Sequence, residues 1–168
     1  EKLHKRLSKL SGGVAVLRVG AESEIEMREK KDRIDDALLA TKAAVEEGIV
    51  PGGGAALIHA ARSIGKPDLS DSQLRGFAIV MASCMAPFRA IVHNAGVNVQ
   101  DLDPNGFDAH NYGYNVVSER FCDLMAAGVI DPTKVTRTAL EKAVSVASTL
   151  LTTECMIVNE VEDSEQKA

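Results

Sequence analysis

Ile49-Val50-Pro51-Gly52-Gly53-Gly54-Ala55-Ala56-Leu57-Ile58 is the stretch on which the reading of this chain turns. A long charged segment runs into it, three glycines occupy its centre, and a run of small residues leaves it. Consecutive glycines lose much backbone entropy on folding and contribute no packing, so a local need must hold them there. Two needs fit. One is a helix-to-helix corner where two backbones approach closely. The other is a nucleotide-contacting turn, with bare amides and a helix N-terminus facing an anionic ligand. The glycines alone leave both open.

Upstream, Ser23 with Glu26 three residues on has the form of a capping box, which starts a helix that runs to about Glu47 and closes at Gly48. Its first half is densely charged, while Ile34, Leu38, Thr41 and Val45 share one narrow face beside Ala37 and Ala44. Such a helix begins on a thin, solvated connector and ends inside a packed domain, placing a domain boundary near residues 43–50. Before it, Leu3, Leu7 and Leu10 have helical spacing, Ser11-Gly12-Gly13 ends that turn as a cap or hinge, and Val14, Val16, Leu17 and Val19 read as a short strand.

Downstream, residues 52–64 read as a turn and then a helix whose Ala55, Ala56, Ala60 and Ala61 permit close packing. A further helix starts at Ser70 to Gln73, is divided by Pro87, and stops at Asn94-Ala95-Gly96. Residues 97–111 read as loop, Tyr112 to Val117 as a short strand or turn, and Phe121 to Ala126 as helical turns ending at Gly128. Asp131-Pro132 has the form of an N-cap followed by proline at the first helical position, opening a helix to about Thr152. Cys155 to Val158 reads as a final strand before an acidic tail.

Composition narrows the function classes. At 168 residues and 45% hydrophobic, the chain can bury one core with an appendage. A net charge of −5 with no basic run argues against a nucleic-acid or membrane partner. No apolar stretch is read as approaching the ~18 residues of a membrane span, and the charged start is unlike a signal peptide. A chain that opens on Glu1 reads as a fragment or a trimmed product. Two Tyr, four Phe and no Trp leave the core to aliphatic residues and favour helix packing. Cys84, Cys122 and Cys155 are widely spaced and read as reduced, structural thiols of an intracellular protein; the location expected for it is cytoplasmic, with an organellar matrix as the alternative. His4, His59, His93 and His110 lack metal-ligand spacing.

Candidate chemistry is sparse. Asp36 lies about 200° round the helix from Ile34, either on a solvated face or as a carboxylate able to orient a water for attack on a phosphoryl group. Asp131 is a helix cap first and a ribose acceptor second, and Asn115 a turn residue first and a base contact second. Neither GxxxxGK[ST] nor GxGxxG is present, so the glycine turn supplies at most one wall of a nucleotide site.

Five runs then carry a family resemblance: Lys30 to Leu38, Val45 to Leu57, Asn111 to Asn115, Ala127 to Val135 and Thr152 to Met156. Together they resemble group I chaperonins of the GroEL type, over the C-terminal third of the subunit. The resemblance implies a mainly α fold: the C-terminal part of a multihelical equatorial domain, with a small α+β segment of the intermediate domain appended. Residues 1–13 would end the apical domain and its hinge, 14–46 would belong to the intermediate domain, and 47–168 to the equatorial ATPase domain. It implies that Asp36 positions the attacking water, that Gly52, Gly53 and Gly54 line the nucleotide, that Asn115 and Val116 touch the adenine side, and that Asp131 binds the ribose.

ATP would be the ligand and Mg the accompanying ion, with its ligands in an N-terminal segment not found in these residues. Partners would be further copies of the subunit in a ring, plus unfolded polypeptide and a co-chaperonin bound by the apical domain. Pro51 stands where the family often has alanine, and Val116-Val117 replaces smaller alanines, which would narrow the base pocket without abolishing it. The expected activity is ATP-driven polypeptide folding by the whole subunit, with no meaningful ATPase from these residues alone. The alternatives are a structural, oligomerising module or a divergent relative without ATP turnover.

Overall fold

A computed structural model describes residues 15–65, 67–155 and 157, together with helical backbone at residues 3, 6, 7 and 10. Gly12-Gly13, read as a hinge, lies outside the described residues, as do Met156 and Val158 of the expected final strand, whose described Cys155 and Ile157 are not in a strand. The chain divides into two compact units, residues 1–42 and 43–168.

In the first unit the strand expected at 14–19 is not formed among its described residues: 15–20 are unpaired, and Val16 and Leu17 face solvent. A four-residue apolar run becomes a strand only where another edge completes its hydrogen bonds. Helix α1 (Glu24–Glu47) starts where expected, with the Glu26 N–H donating to Ser23 Oγ at 3.2 Å. Only half of the capping box forms, because the Glu26 carboxylate pairs instead with Lys30 Nζ at 3.0 Å. The expected core face is a correction: α1 buries no residue, and Leu38 and Val45 are exposed. It closes at Gly48, φ +82°, whose N–H donates to Ala44 O at 2.8 Å.

The second unit holds the core. Strand β1 (Ile49–Pro51) leads through the glycines into α2 (Ala55–Ser63). Then come α3 (Asp71–Ser83), opened by a Ser70/Gln73 capping box, and α4 (Ala86–Asn94), with Pro87 in its first turn dividing the two. Strands β2 (Tyr112–Asn115) and β3 (Arg120–Asp123) form a hairpin, and β4 (Ile130–Pro132) leads into α5 (Thr133–Leu151). The fold is mainly α, with two small antiparallel pairs among the described residues, β1–β4 and β2–β3.

The span Asp71–Asn94 is long and apolar enough by composition to cross a membrane, correcting the expectation that no such stretch exists. It is broken at Cys84-Met85, and its Phe88 and Val92 are core residues, which assigns that end to protein packing rather than lipid. Cys84 is buried, and burial raises its thiol pKa; Cys155 is exposed and packs no core.

Two further expectations fail. Residues 120–123 form a strand rather than helical turns, because Asn115 Oδ1 accepts from Val117 N at 3.0 Å and folds the chain back into a hairpin. The segment read as loop contributes Phe107, 5% exposed, at the centre of an edge-to-face aromatic cluster. Its ring lies 5.0 Å from Phe88 and 5.4 Å from Phe121, centroid to centroid, and the Arg62 guanidinium sits 5.6 Å over it. Two short 3-10 turns, Val99–Asp101 and Pro104–Phe107, each capped by the preceding Asn98 or Asp103, carry the chain to that position.

Candidate functional site

The glycine turn is built by three separate constraints. Gly52 continues the β1–β4 ladder, donating its N–H to Val129 O at 2.9 Å. A Cβ there would meet the backbone of Val129 and Ile130 at 3.2 Å. Gly53 and Gly54 both lie at positive φ, +64° and +77°, the left-handed region that glycine enters without steric cost. A Cβ on Gly54 would sit 2.6 Å from Phe88 N and 2.9 Å from Phe88 Cα, because the start of α2 runs hard against the first turn of α4.

Gly53 differs. Its missing Cβ would meet nothing closer than Tyr114 O at 3.8 Å, so packing does not explain it. The corner reading therefore accounts for Gly52 and Gly54 and leaves Gly53 requiring only its backbone conformation. Neither the Gly53 nor the Gly54 N–H has an acceptor among the described residues, as is usual for the first donors of a helix.

Gly113 brings β2 to the same corner. A Cβ on it would lie 2.5 Å from Leu124 Cδ1 and 3.0 Å from Ala55 Cβ, so its absence lets β2 press against the start of α2. One turn further along the same face of α2, His59 Nε2 donates to Tyr112 O at 2.7 Å and holds the beginning of β2. Asn115 closes this strand. Its Oδ1 is committed to the hairpin turn, accepting from Val117 N at 3.0 Å and Ser118 N at 3.4 Å, which leaves its Nδ2 and its backbone for contacts outside the turn. Val116 packs partly buried against the core, and Val117 is exposed.

Asp131 is not the helix cap read from the sequence. It lies in β4 opposite Val50, and Pro132 is the N-cap, with no side-chain capping bond. Pairing with β1 takes Asp131 into the ladder before α5 can begin. Its half-buried carboxyl has no hydrogen-bond partner among the described residues, and burial raises its pKa above the usual aspartate range. A carboxylate held this way gains from any hydroxyl donor brought to it.

Gly52, Gly53, Gly54, Asn115, Val116 and Asp131 are thus brought to one end of the second unit: Gly52 is hydrogen-bonded to Val129, two residues before Asp131, and Gly53 lies beside Tyr114, next to Asn115. Asp36 belongs to the first unit, exposed on α1. Asp35, not Asp36, lines an open apolar groove of that unit formed by Leu17, Val19, Met27, Ile34 and Leu38.

Sequence reasoning missed the ion pairs that fix the end of α1 beside this corner. Glu46 pairs with Lys134, and Glu47 takes two hydrogen bonds from Arg137, Nη2 at 2.7 Å and Nε at 3.1 Å. Arg137 also reaches Glu141 at 2.8 Å, and the Thr133 N–H donates to Gly48 O at 3.1 Å. The hydrogen bond from Arg137 is the main cause that lowers the Glu47 pKa, and the Glu47 and Glu141 carboxylates raise that of Arg137. Partners separated by nearly ninety positions leave no local signal.

Comparison with known proteins agrees with this architecture. The model of the TCP-1/cpn60 chaperonin family matches residues 5–161. A solved structure described as a group III chaperonin in the open state matches 87% of this chain with a TM-score of 0.70 and 25% sequence identity. The chain spans 32% of the length of that structure.

Proposed function

The chain belongs to the TCP-1/cpn60 chaperonin family, and on that footing we propose that it is part of an ATP-driven ring chaperonin in which the second unit forms one wall of the nucleotide pocket. The observation that carries this reading is the convergence of Gly53, Asn115-Val116 and an unpartnered, half-buried Asp131 on one corner. Gly53 leaves room for a phosphate-bearing ligand to approach the backbone, and the start of α2 offers N–H donors to anionic oxygens. Asp131 accepts hydrogen bonds from ribose hydroxyls, which restore the solvation that burial removed. Val116 supplies an apolar surface on the base side, while Asn115 holds the turn that presents it.

Asp36 takes the role of positioning the attacking water, as the resemblance of Lys30 to Leu38 implies. Among the described residues no group of three His, Cys, Asp or Glu side chains is placed to hold a metal ion. Magnesium is commonly held by one or two carboxylates together with substrate phosphates and waters; its ligands are assigned to another part of the subunit, as the resemblance implies, and no step is routed through it. The group I assignment rests on the five matching runs. Ring assembly with further subunits, binding of unfolded polypeptide and a co-chaperonin by an apical domain, and a cytoplasmic or organellar-matrix location belong to the same proposal.

The test is ATP turnover by the full-length subunit in its assembled form, with and without Asp36→Ala. The reading expects bound ATP in both and turnover reduced by about 10²-fold or more in the variant. Unchanged turnover overturns the role of Asp36.

A second reading, an assembly module without turnover, is favoured by one feature. Helices α3 and α5 leave an apolar groove of about 400 Å³ lined by Ile79, Val80, Leu140, Val144, Ala147 and Leu151. Ile79 and Leu151 remain largely exposed there. Concentration-dependent light scattering of this chain separates the two: association through the groove supports the module, and a clean monomer at all concentrations counts against it.

A further inference from the structure

The sequence contains one Asn-Gly pair, Asn105-Gly106, and it falls in the second 3-10 turn, Pro104–Phe107, which seats the central core aromatic. We propose that Asn105 is a deamidation site whose isoaspartyl product unseats Phe107 from the core of the second unit.

The structure makes glycine obligatory at 106. A Cβ there would collide with ring atoms Cδ1, Cε1 and Cζ of Phe121, in the body of a packed ring rather than at a flexible tip. With asparagine at 105, that packing requirement leaves the following backbone nitrogen unshielded by any side chain. Asn105 itself is exposed to water.

The step balances without an added reagent other than water. The Gly106 amide nitrogen loses its proton to solvent and attacks Asn105 Cγ. The new N–Cγ bond closes a five-membered succinimide, and the Cγ–NH₂ bond breaks with release of ammonia. Water then opens the ring at one of its two carbonyls. Opening at the side-chain carbonyl gives Asp, and opening at the main-chain carbonyl gives isoAsp, in which the backbone is longer by one methylene.

Three hydrogen bonds hold the turn and must open for attack. Gly106 N donates to Asp103 O at 3.1 Å, Asn105 N to Asp103 Oδ1 at 2.9 Å, and Asp108 N to Asn105 O at 3.0 Å. Asp103 and Asn105, which make two of these bonds, are exposed to water, so the start of the turn opens locally while Phe107 stays packed, and the site is reached without global unfolding. Reclosing after isomerisation is what fails. An added methylene between Asp103 and Phe107 breaks the turn's spacing, while Phe107 sits wedged between Phe88 and Phe121. Phe88 in turn backs Gly54, so the displacement reaches the corner described above.

Incubation of the chain at mildly alkaline pH, followed by peptide mapping and isoaspartyl detection, tests this. Asn105 is expected to convert before Asn94, Asn98, Asn111 and Asn115, with isoAsp among the products. The converted fraction is expected to melt at a lower temperature. Asn105→Gln should block both changes, and Asn105→Asp, which carries the charge on a normal backbone, should keep the original melting temperature. The proposal is overturned if Asn105 survives while the other asparagines convert, or if the isoaspartyl protein melts like Asn105→Asp.

Discussion

Replacing Gly54 with alanine separates the corner's packing from its conformation. The new Cβ would lie 2.6 Å from Phe88 N and 2.9 Å from Phe88 Cα, backbone atoms at the start of α4 that cannot rotate away. Overpacking of this kind costs about 1–3 kcal/mol. A left-handed conformation at φ +77° adds about 1–2 kcal/mol for an L-residue. Loss of glycine's freedom in the unfolded chain returns about 0.4–1 kcal/mol. The net destabilisation is about 2–4 kcal/mol. Gly48→Ala is the control, since its φ is +82° but nothing lies within 4 Å of the added atom. It should lose only about 1 kcal/mol. Urea unfolding followed by circular dichroism measures both, and with a slope of about 1–3 kcal/mol/M the two midpoints should differ by roughly 1 M. Equal midpoints for Gly54→Ala and Gly48→Ala would refute the close approach of α2 and α4. Gly53→Ala should behave like Gly48→Ala in this assay, so any larger loss it causes in nucleotide affinity is a ligand effect.

Burial raises the Asp131 pKa, so between its ordinary value and the raised one the folded protein binds more protons than the unfolded chain. Stability therefore falls as pH rises through that window, and Asp131→Asn should stabilise the chain at neutral pH but not below the ordinary aspartate range, as thermal melts across pH would record. Glu47 has the opposite sign. Its pKa is lowered chiefly by the hydrogen bond from Arg137, so its contribution is present at neutral pH and lost as pH falls through its folded pKa. Glu47→Gln should flatten the acid limb of the melting curve and reduce its salt dependence. Phe107→Ala should cost about 3–5 kcal/mol, measured by urea unfolding, because the ring is central to the aromatic cluster rather than part of a surface loop.

The helices were legible where local chemistry ends them. Gly48 stops α1, Pro87 divides α3 from α4, and the apolar spacing from Val135 to Leu150 marks α5. The failures share a cause: a distant partner decided the outcome. Residues 120–123 offered too short a run to show period-two alternation, and the Asn115 side chain made them the return strand of a hairpin. Phe107 stands alone in a polar run, and only Phe88 and Phe121 make it core. Asp131-Pro132 has the local form of a cap, yet Val50 across the ladder claimed Asp131 for the sheet.

For the site, the glycine run was visible, but which glycine serves packing and which leaves open space was not. That distinction depends on Phe88 and Tyr114, both far along the chain. Asn115 was legible as a turn residue, and the structure commits its Oδ1 to that turn.

The most direct test of the nucleotide wall is a structure of the full-length, assembled protein bound to a non-hydrolysable ATP analogue. The account predicts ribose hydroxyls within hydrogen-bond distance of the Asp131 carboxylate, with the ligand passing over Gly53 and beside Val116. An analogue bound in the ring but away from Asp131 and Gly53 would contradict it.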